Sequence, residues 1–272
     1  MPHCQYEDRI KNIKRGSFLG SRIICEDVIP STNDEARELA DALPHGTIIV
    51  SDGQSEGKGR SGRGFDCPKG LGLWFTYILK PDIQPADASM LTIIKGLSVR
   101  EALSDICGTR IEIKWPNDII YDGRKLCGTL TEMSTDREGI RYVVVGTGIN
   151  VHNRKFPEEL ADRAVSVRMI TGRDIPRPEI LEKINEVFER KYEDFMRIGN
   201  LESFVGEYNE YMAGMNTSIS AVGPGHRETG IARGINPEGK LRLQTPRGEL
   251  LIGSGEISID GVYGGKQNAS DA

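Results

Sequence analysis

The residues of this chain best suited to chemistry are cations set among glycines. Residues 57–64 have the sequence GKGRSGRG, in which Lys58, Arg60 and Arg63 alternate with glycines. Glycines allow the backbone to approach a ligand closely, and the three cations supply the charge and the hydrogen-bond donors that suit a phosphate. The segment therefore predicts an anion-binding loop, with a solvated basic loop as the alternative.

Familiar phosphate-binding motifs do not account for this loop. Residues 57–62 match G-x-G-x-x-G, but the run continues through Gly64, Pro68 and Gly70 where a dinucleotide-binding turn requires a helix. A Walker loop is excluded because glycine follows Lys58 where serine or threonine is needed. The protein-kinase motifs H-R-D and D-F-G are also missing downstream of the loop.

A second group of polar residues follows later in the chain. The string KWPND occupies residues 114–118, and Lys125 stands seven residues after Asp118 in the run RKLCG, which ends at Gly128. A third motif, GTGIN, ends at Asn150. The sequence thus offers a lysine, an amide and a carboxylate at a predicted strand end, and a further lysine beyond a hairpin.

The elements that position these motifs follow from hydrophobic periodicity. Residues 23–43 predict a strand, a turn and a helix, with Thr32 and Glu35 spaced as a capping box and an apolar helix face. That face is formed by Ala36, Leu39, Ala40 and Leu43. Residues 47–53 and 71–79 predict strands on either side of the glycine loop, the second with an alternating pattern.

The remaining elements complete a mixed pattern. A helix is predicted over 87–106, strands over 111–115, 119–121 and 125–133 with a hairpin at Asp122-Gly123, and a further strand over 140–150. Helices are predicted over 179–198 and 201–212. Short strands between turn residues over 217–259 predict a small β-barrel. The expected domains are therefore 1–216 and 217–262, and the tail 263–272 is expected to be disordered.

The bulk properties limit the class of protein. The chain has 272 residues, of which 38% are hydrophobic and 28% charged, and its net charge of −5 gives no broad footprint for nucleic acid. The five cysteines are widely spaced and contain no C-x-x-C pair, so we expect reduced thiols. No apolar run is long enough for a membrane helix or a secretory signal, which predicts a cytoplasmic protein.

Taken together, the motifs QSEGKGRSGRG, KWPND, KLCG and GTGIN, in this order, resemble those of the biotin protein ligase family. The similarity extends from Ile29 to Ser258 and so covers nearly the whole chain. It implies an α+β fold with a mixed sheet flanked by helices, similar to the class II aminoacyl-tRNA synthetase core, and a small C-terminal Src-homology-3-like β-barrel. It also implies an ATP-dependent ligase that forms biotinyl-5'-adenylate with Mg²⁺ and transfers biotin to a lysine of a biotin carboxyl carrier protein.

The resemblance assigns roles to individual residues. Those implied to bind biotin are Ser31, Thr32, Asn33, Gln54, Gly57, Lys58, Gly59, Arg60, Lys125 and Gly128, although helix capping alone remains open for the first three. Those implied to bind ATP or the adenylate are Arg60, Arg63, Phe65, Lys114, Asn117, Lys125 and Asn150. Two positions depart from many relatives: Lys58 replaces an arginine, and Phe65 replaces a tryptophan near the adenine.

The chemistry implied by the resemblance requires cations. A carboxylate that attacks an α-phosphate brings two anions together, so fixed positive charge must stabilise the transition state. We expect Arg60 and Lys125 to be catalytic and Asp118 to be a ligand of Mg²⁺. An exposed hairpin lysine is the alternative for Lys125, and a simple turn residue is the alternative for Asn150.

Two other functions compete with this interpretation. A lipoate protein ligase would share the fold and the adenylation chemistry without this combination of motifs. A biotin-responsive DNA-binding regulator would need a further domain, whereas only about thirty residues precede Ser31, which predicts the short form without one. The resemblance also implies a possible homodimer, which we expect to use the GTGIN strand at an edge of the sheet.

Overall fold

The computed structural model describes residues 10, 13–62, 64–223, 226–254, 258–260 and 262. Arg63 and the tail 263–272, which were predicted to bind phosphate and to be disordered respectively, lie outside the described residues.

A seven-stranded mixed sheet organises the first domain. Its strands are β1 Ile23–Ile29, β2 Thr47–Gln54, β3 Gly72–Leu79, β4 Glu112–Lys114, β5 Asp118–Tyr121, β6 Arg124–Thr135 and β7 Ile140–Asn150, in the spatial order β1-β2-β3-β7-β6-β5-β4. Strands β1 and β2 are parallel and the other neighbours are antiparallel. The predicted mixed sheet is therefore confirmed.

Helices cover both faces of this sheet. They are α1 Thr32–Leu39, α2 Met90–Cys107, α3 Glu158–Ala161, α4 Val167–Thr171, α5 Arg177–Ile198 and α6 Glu202–Tyr211. The apolar face of α1 packs on a small cluster that includes Ile49, Ile78 and Val144, whereas the neighbouring strand residues point into the main core. Since both faces are covered, every residue of β3 is buried. The predicted strand is confirmed, but it has no exposed face.

The start of α1 differs from the prediction. Ser31 is the N-cap, and its side chain accepts a hydrogen bond from the Asp34 amide. Thr32 lies inside the helix, and its amide and hydroxyl both donate to the Gln54 side chain. The predicted Thr32–Glu35 capping box is therefore wrong, because the threonine is occupied by a contact with β2.

The position of the GTGIN motif also differs from the prediction. This motif ends β7, which pairs with β3 on one side and with β6 on the other. The motif lies in the middle of the sheet, and the edges are β1 and β4. The expectation that GTGIN forms an edge available for dimerisation is wrong, because its backbone is already paired on both sides.

The C-terminal strands form a separate antiparallel sheet. They are β8 Ser218–Gly223, β9 His226–Ile235, β10 Leu241–Thr245, β11 Gly248–Ile252 and β12 Ser258–Asp260, in the order β11-β10-β9-β8-β12. The predicted rhythm of short strands is confirmed. Contacts reach the first domain, since the indole nitrogen of the buried Trp115 donates to the Gly239 carbonyl over 3.1 Å. Among the described residues, no helix has the length and apolarity needed to cross a membrane.

A buried ion pair joins α5 to the sheet. One guanidinium nitrogen of Arg177 donates to Asp52 Oδ1 over 2.8 Å and to the Gly72 carbonyl over 2.9 Å. Only 1% of the Asp52 side chain and 8% of the Arg177 side chain are exposed. The pair therefore ties the start of α5 to β2 and to the start of β3, the two strands that flank the glycine loop.

We predict that Arg177→Met destabilises the fold by about 3–5 kcal/mol, because it leaves the buried Asp52 carboxylate without its charged partner. The double variant Arg177→Met/Asp52→Asn should recover much of this loss, since it removes both charges. Chemical denaturation followed by circular dichroism measures both values. A loss below about 1 kcal/mol in the single variant would show that the pair does not join these elements.

Candidate functional site

The Ser-Thr-Asn turn and Gln54 form a buried polar network. Gln54 Oε1 accepts from the Thr32 amide over 2.6 Å and from its hydroxyl over 3.0 Å. Asn33 Nδ2 donates to Glu132 Oε2 over 2.7 Å, while Asn33 Oδ1 accepts from the Thr76 hydroxyl over 2.8 Å. The turn between β1 and α1 is therefore held against β2, β3 and β6 through its side chains.

Close approach explains one glycine of the GTGIN motif. A Cβ atom at Gly146 would lie 1.9 Å from Asn33 Oδ1, so a side chain cannot be accommodated there without displacing the asparagine. The central strand β7 thus makes room for a residue of the Ser-Thr-Asn turn.

The glycine loop reaches the KWPND hairpin through Arg60. This residue begins a short 3-10 turn over Arg60–Gly62. One terminal nitrogen of Arg60 donates to Asn117 Oδ1 over 3.3 Å, and the other donates to the Ser254 carbonyl of the C-terminal domain. Asn117 is in turn fixed by donating to the Thr129 carbonyl over 2.8 Å. Arg60 therefore bridges three parts of the chain.

Lys125 lies on β6 beside the same hairpin. Its ammonium is 2.6 Å from Asp118 Oδ1 and 5.3 Å from the centre of the Phe65 ring. A Cβ atom at Gly128 would lie 2.9 Å from the Lys125 ammonium, so this glycine leaves the space that the side chain occupies. The lysine side chain is 29% exposed and Asp118 is 15% exposed, so the pair is partly shielded from water. Phe65 brings the glycine loop next to Lys125.

The other predicted nucleotide ligands surround this pair. Lys114 is buried at the end of β4, and its backbone lies opposite that of Asp118 in the β4–β5 register. Phe65 contacts Trp74 edge-on, with ring centres 5.9 Å apart. The Asn150 amide donates to the Val165 carbonyl over 3.2 Å, which anchors the end of β7.

Lys58 does not join the other cations. Its ammonium lies 2.6 Å from Asp34 Oδ2 on α1, and the side chain is 45% exposed. The pair borders a cavity of about 620 Å³ that Ser31, Arg37 and Tyr142 also line. The structure therefore brings Arg60, Phe65 and Lys125 towards the KWPND hairpin, and it directs Lys58 to the start of α1.

Asp118 places a carboxylate next to the Lys125 ammonium. Among the described residues, no group of three or more His, Cys, Asp or Glu side chains could hold a metal ion. A Mg²⁺ ion carried by nucleotide phosphates needs only one or two protein carboxylates, because water and phosphate complete its shell. The single Asp118 carboxylate fits that kind of ion and does not form a protein cage.

The sequence analysis did not identify several residues of the site. Thr76 and Trp74 belong to an apolar strand and acquire their partners only through sheet register. Ser254 reaches Arg60 only through the packing of the second domain. Cys67, whose buried thiol contacts Gln54, was predicted only to be a reduced thiol. A polar residue within an otherwise apolar strand, such as Thr76, was the one available hint.

Comparisons with known proteins agree on one family. Residues 26–150 match the biotin/lipoate A/B protein ligase family, and residues 221–260 match the biotin protein ligase C terminal domain. The bifunctional ligase/repressor BirA of Bacillus subtilis is 35% identical over 93% of this chain and 78% of that protein. The biotin--[acetyl-CoA-carboxylase] ligase of Paracoccus denitrificans is 31% identical over 85% of this chain and 98% of that protein. The structure of the biotin protein ligase from Aquifex aeolicus in complex with biotin and ATP is similar with a TM-score of 0.79 and 32% identity, covering 88% of this chain and 99% of that chain.

Proposed function

The chain belongs to the biotin protein ligase family, and on that premise we propose that it activates biotin with ATP and attaches it to a lysine of a biotin carboxyl carrier protein. The observation that carries this proposal is the meeting of Arg60, Phe65 and Lys125 at the KWPND hairpin. It supplies two cations and an aromatic ring within one region, which is what a nucleotide phosphate beside a base requires.

The first half-reaction forms biotinyl-5'-adenylate. A carboxylate oxygen of biotin attacks the α-phosphorus of ATP, the new P–O bond forms, and the bond to the β-phosphate oxygen breaks to release pyrophosphate. Negative charge accumulates on the α-phosphate oxygens during this displacement. We assign Arg60 and Lys125 to stabilise that charge, because both are held near the hairpin before the substrates arrive.

The Lys125–Asp118 pair gives this assignment a physical basis. Asp118 Oδ1 holds the Lys125 ammonium at 2.6 Å, in the space that Gly128 leaves open, before a phosphate binds. A bound phosphate would offer the ammonium a second anion in place of the Asp118 carboxylate. Magnesium would supply further positive charge on the phosphates, with Asp118 as its protein ligand.

Biotin and adenine binding are assigned to the two sides of the glycine loop. The biotin side comprises Ser31, Thr32, Asn33, Gln54, Gly57, Lys58, Gly59 and Gly128. The nucleotide side comprises Arg63, Phe65, Lys114, Asn117 and Asn150. The Thr32–Gln54 hydrogen bonds support the first assignment, since they hold the turn and the start of the loop together. Lys58 is assigned to the biotin side, where its ammonium pairs with Asp34 on α1.

The second half-reaction requires placement more than further chemistry. The ε-amine of the carrier lysine attacks the acyl carbon of the mixed anhydride, an amide bond forms, and AMP leaves with the electrons of the broken C–O bond. Holding the amine against the acyl carbon supplies much of the rate enhancement. The nucleophile comes from the carrier, so the reaction needs no covalent bond between substrate and ligase.

We also propose a class II aminoacyl-tRNA synthetase-like catalytic domain over 1–216 and closure of the strands of 217–262 into a Src-homology-3-like barrel. A cytoplasmic location is proposed as well, and cell fractionation tests it. A homodimer is also proposed, through a surface other than the GTGIN motif. Sedimentation with biotin and ATP present tests it, and a monomer at every concentration rejects it.

We predict that the purified chain, given ATP and Mg²⁺, transfers biotin to a biotin carboxyl carrier domain and releases AMP and pyrophosphate. Mass spectrometry of the carrier should detect one biotinyl group on one lysine. Lipoate in place of biotin, with a lipoyl carrier domain, serves as the control for the alternative ligase. Transfer of lipoate without transfer of biotin would reverse the assignment.

We predict that Arg60→Ala and Lys125→Ala each slow adenylate formation by about 10²-fold or more in a single turnover, because each removes a group that stabilises charge in the transition state. Pyrophosphate release by rapid quench measures the rate. The exposed residues Arg154 and Lys155 provide matched controls, since their alanine variants should retain the normal rate. Unchanged rates in the site variants would refute their assignment as catalytic residues.

A further inference from the structure

Cys67 lies beneath the glycine loop and contacts residues from both sides of the site. The residue is 4% exposed. Gln54 Nε2 donates to Cys67 Sγ over 2.9 Å, and Cys67 Sγ donates to the Phe65 carbonyl over 3.2 Å. The backbones are joined too, because the Gln54 amide donates to the Cys67 carbonyl over 3.0 Å. One side chain therefore links a biotin-side residue to a nucleotide-side residue.

The orientation of the Gln54 amide follows from its neighbours. The Thr32 backbone amide can only donate, and it lies 2.6 Å from one side-chain atom of Gln54. That atom must be the oxygen, so the nitrogen faces Cys67. The oxygen already accepts twice from Thr32. Among the described residues, Cys67 accepts one Gln54 amide hydrogen, which leaves the other for a ligand.

Gly57, at the start of the glycine loop, packs closely against the Phe65 backbone and the Cys67 thiol. A Cβ atom at Gly57 would lie 2.3 Å from the Phe65 carbonyl oxygen and 2.6 Å from Cys67 Sγ. The Phe65 amide also donates to the Gly57 carbonyl over 2.8 Å. The start and the end of the glycine loop therefore pack closely against each other and against the thiol.

The protonation state of the thiol suits this role. Burial raises the pKa of Cys67 to about 12, so the thiol stays protonated at neutral pH. A protonated thiol donates to a carbonyl while its sulfur accepts from an amide, whereas a thiolate has no hydrogen to donate.

We propose that Cys67 is a positioning residue that couples the two substrates by fixing the Gln54 amide and the Phe65 backbone in one hydrogen-bonded unit, an inference that rests on the proposed function. Phe65 carries the effect further, because its ring lies 5.3 Å from the Lys125 ammonium. A substrate that contacts Gln54 and a substrate that contacts Phe65 therefore share one hydrogen-bonded unit.

The first test compares Cys67→Ala with Cys67→Ser. The serine hydroxyl also donates and accepts, whereas alanine does neither. Alanine should raise the KM for biotin and for ATP about tenfold each, the effect of losing one or two hydrogen bonds, and should leave kcat within about threefold. In calorimetric titrations it should also abolish the strengthening of ATP binding by saturating biotin. Cys67→Ser should recover most of the normal KM values and most of the normal coupling. Cys107→Ala changes a half-buried cysteine away from the loop and should behave as the unmodified chain.

Wild-type KM values and coupling in Cys67→Ala would overturn the proposal, as would equal losses of thermal stability and activity in both variants. Alkylation of the unmodified chain by iodoacetamide, followed at the Cys67 peptide by mass spectrometry, gives a result even where the alanine variant fails to fold. Biotin alone and ATP alone should each slow the reaction at Cys67 several-fold, and an unchanged rate with either overturns the coupling. An unmodified chain that transfers no biotin would instead defeat the proposed function.

Discussion

The site depends on one partly buried cation being held in place before any phosphate arrives. The Lys125 ammonium rests over Gly128, beside the Asp118 carboxylate and under the Phe65 ring. The carboxylate holds the ammonium at 2.6 Å, and the sheet determines where the pair lies. Strand β5 carries Asp118 and the adjacent strand β6 carries Lys125 and Gly128, so the register of one hairpin sets the geometry of all three.

The remainder of the fold serves to bring the glycine loop to that hairpin. The Asp52–Arg177 pair anchors both strands that flank the loop, while the Thr32–Gln54 bonds and the Cys67 thiol hold its two ends. Arg60 then spans from the loop to Asn117 and to the C-terminal domain. Ion pairs and hydrogen bonds thus determine the position of a segment whose glycines alone would leave it free to move.

Much of this arrangement could be predicted from the sequence, and the failures have physical reasons. The hairpin at Asp122-Gly123 was predicted correctly, because both residues adopt the positive φ angles that such a turn requires. The Thr32 capping box was wrong because a partner on another strand competed for the hydroxyl. The edge position of GTGIN was wrong because periodicity identifies a strand without its neighbours. The roles of Lys58 and Cys67 depend on partners distant in sequence, Asp34 and Gln54, that no local pattern could reveal.

The most direct test of the central claim is a crystal structure with a non-hydrolysable analogue of biotinyl-5'-adenylate. The account predicts that the Lys125 ammonium turns from Asp118 to within hydrogen-bond distance of the phosphate-replacing group, with the Arg60 guanidinium on the same group. A bound analogue that leaves Lys125 on Asp118 and beyond hydrogen-bond distance of the ligand would contradict it.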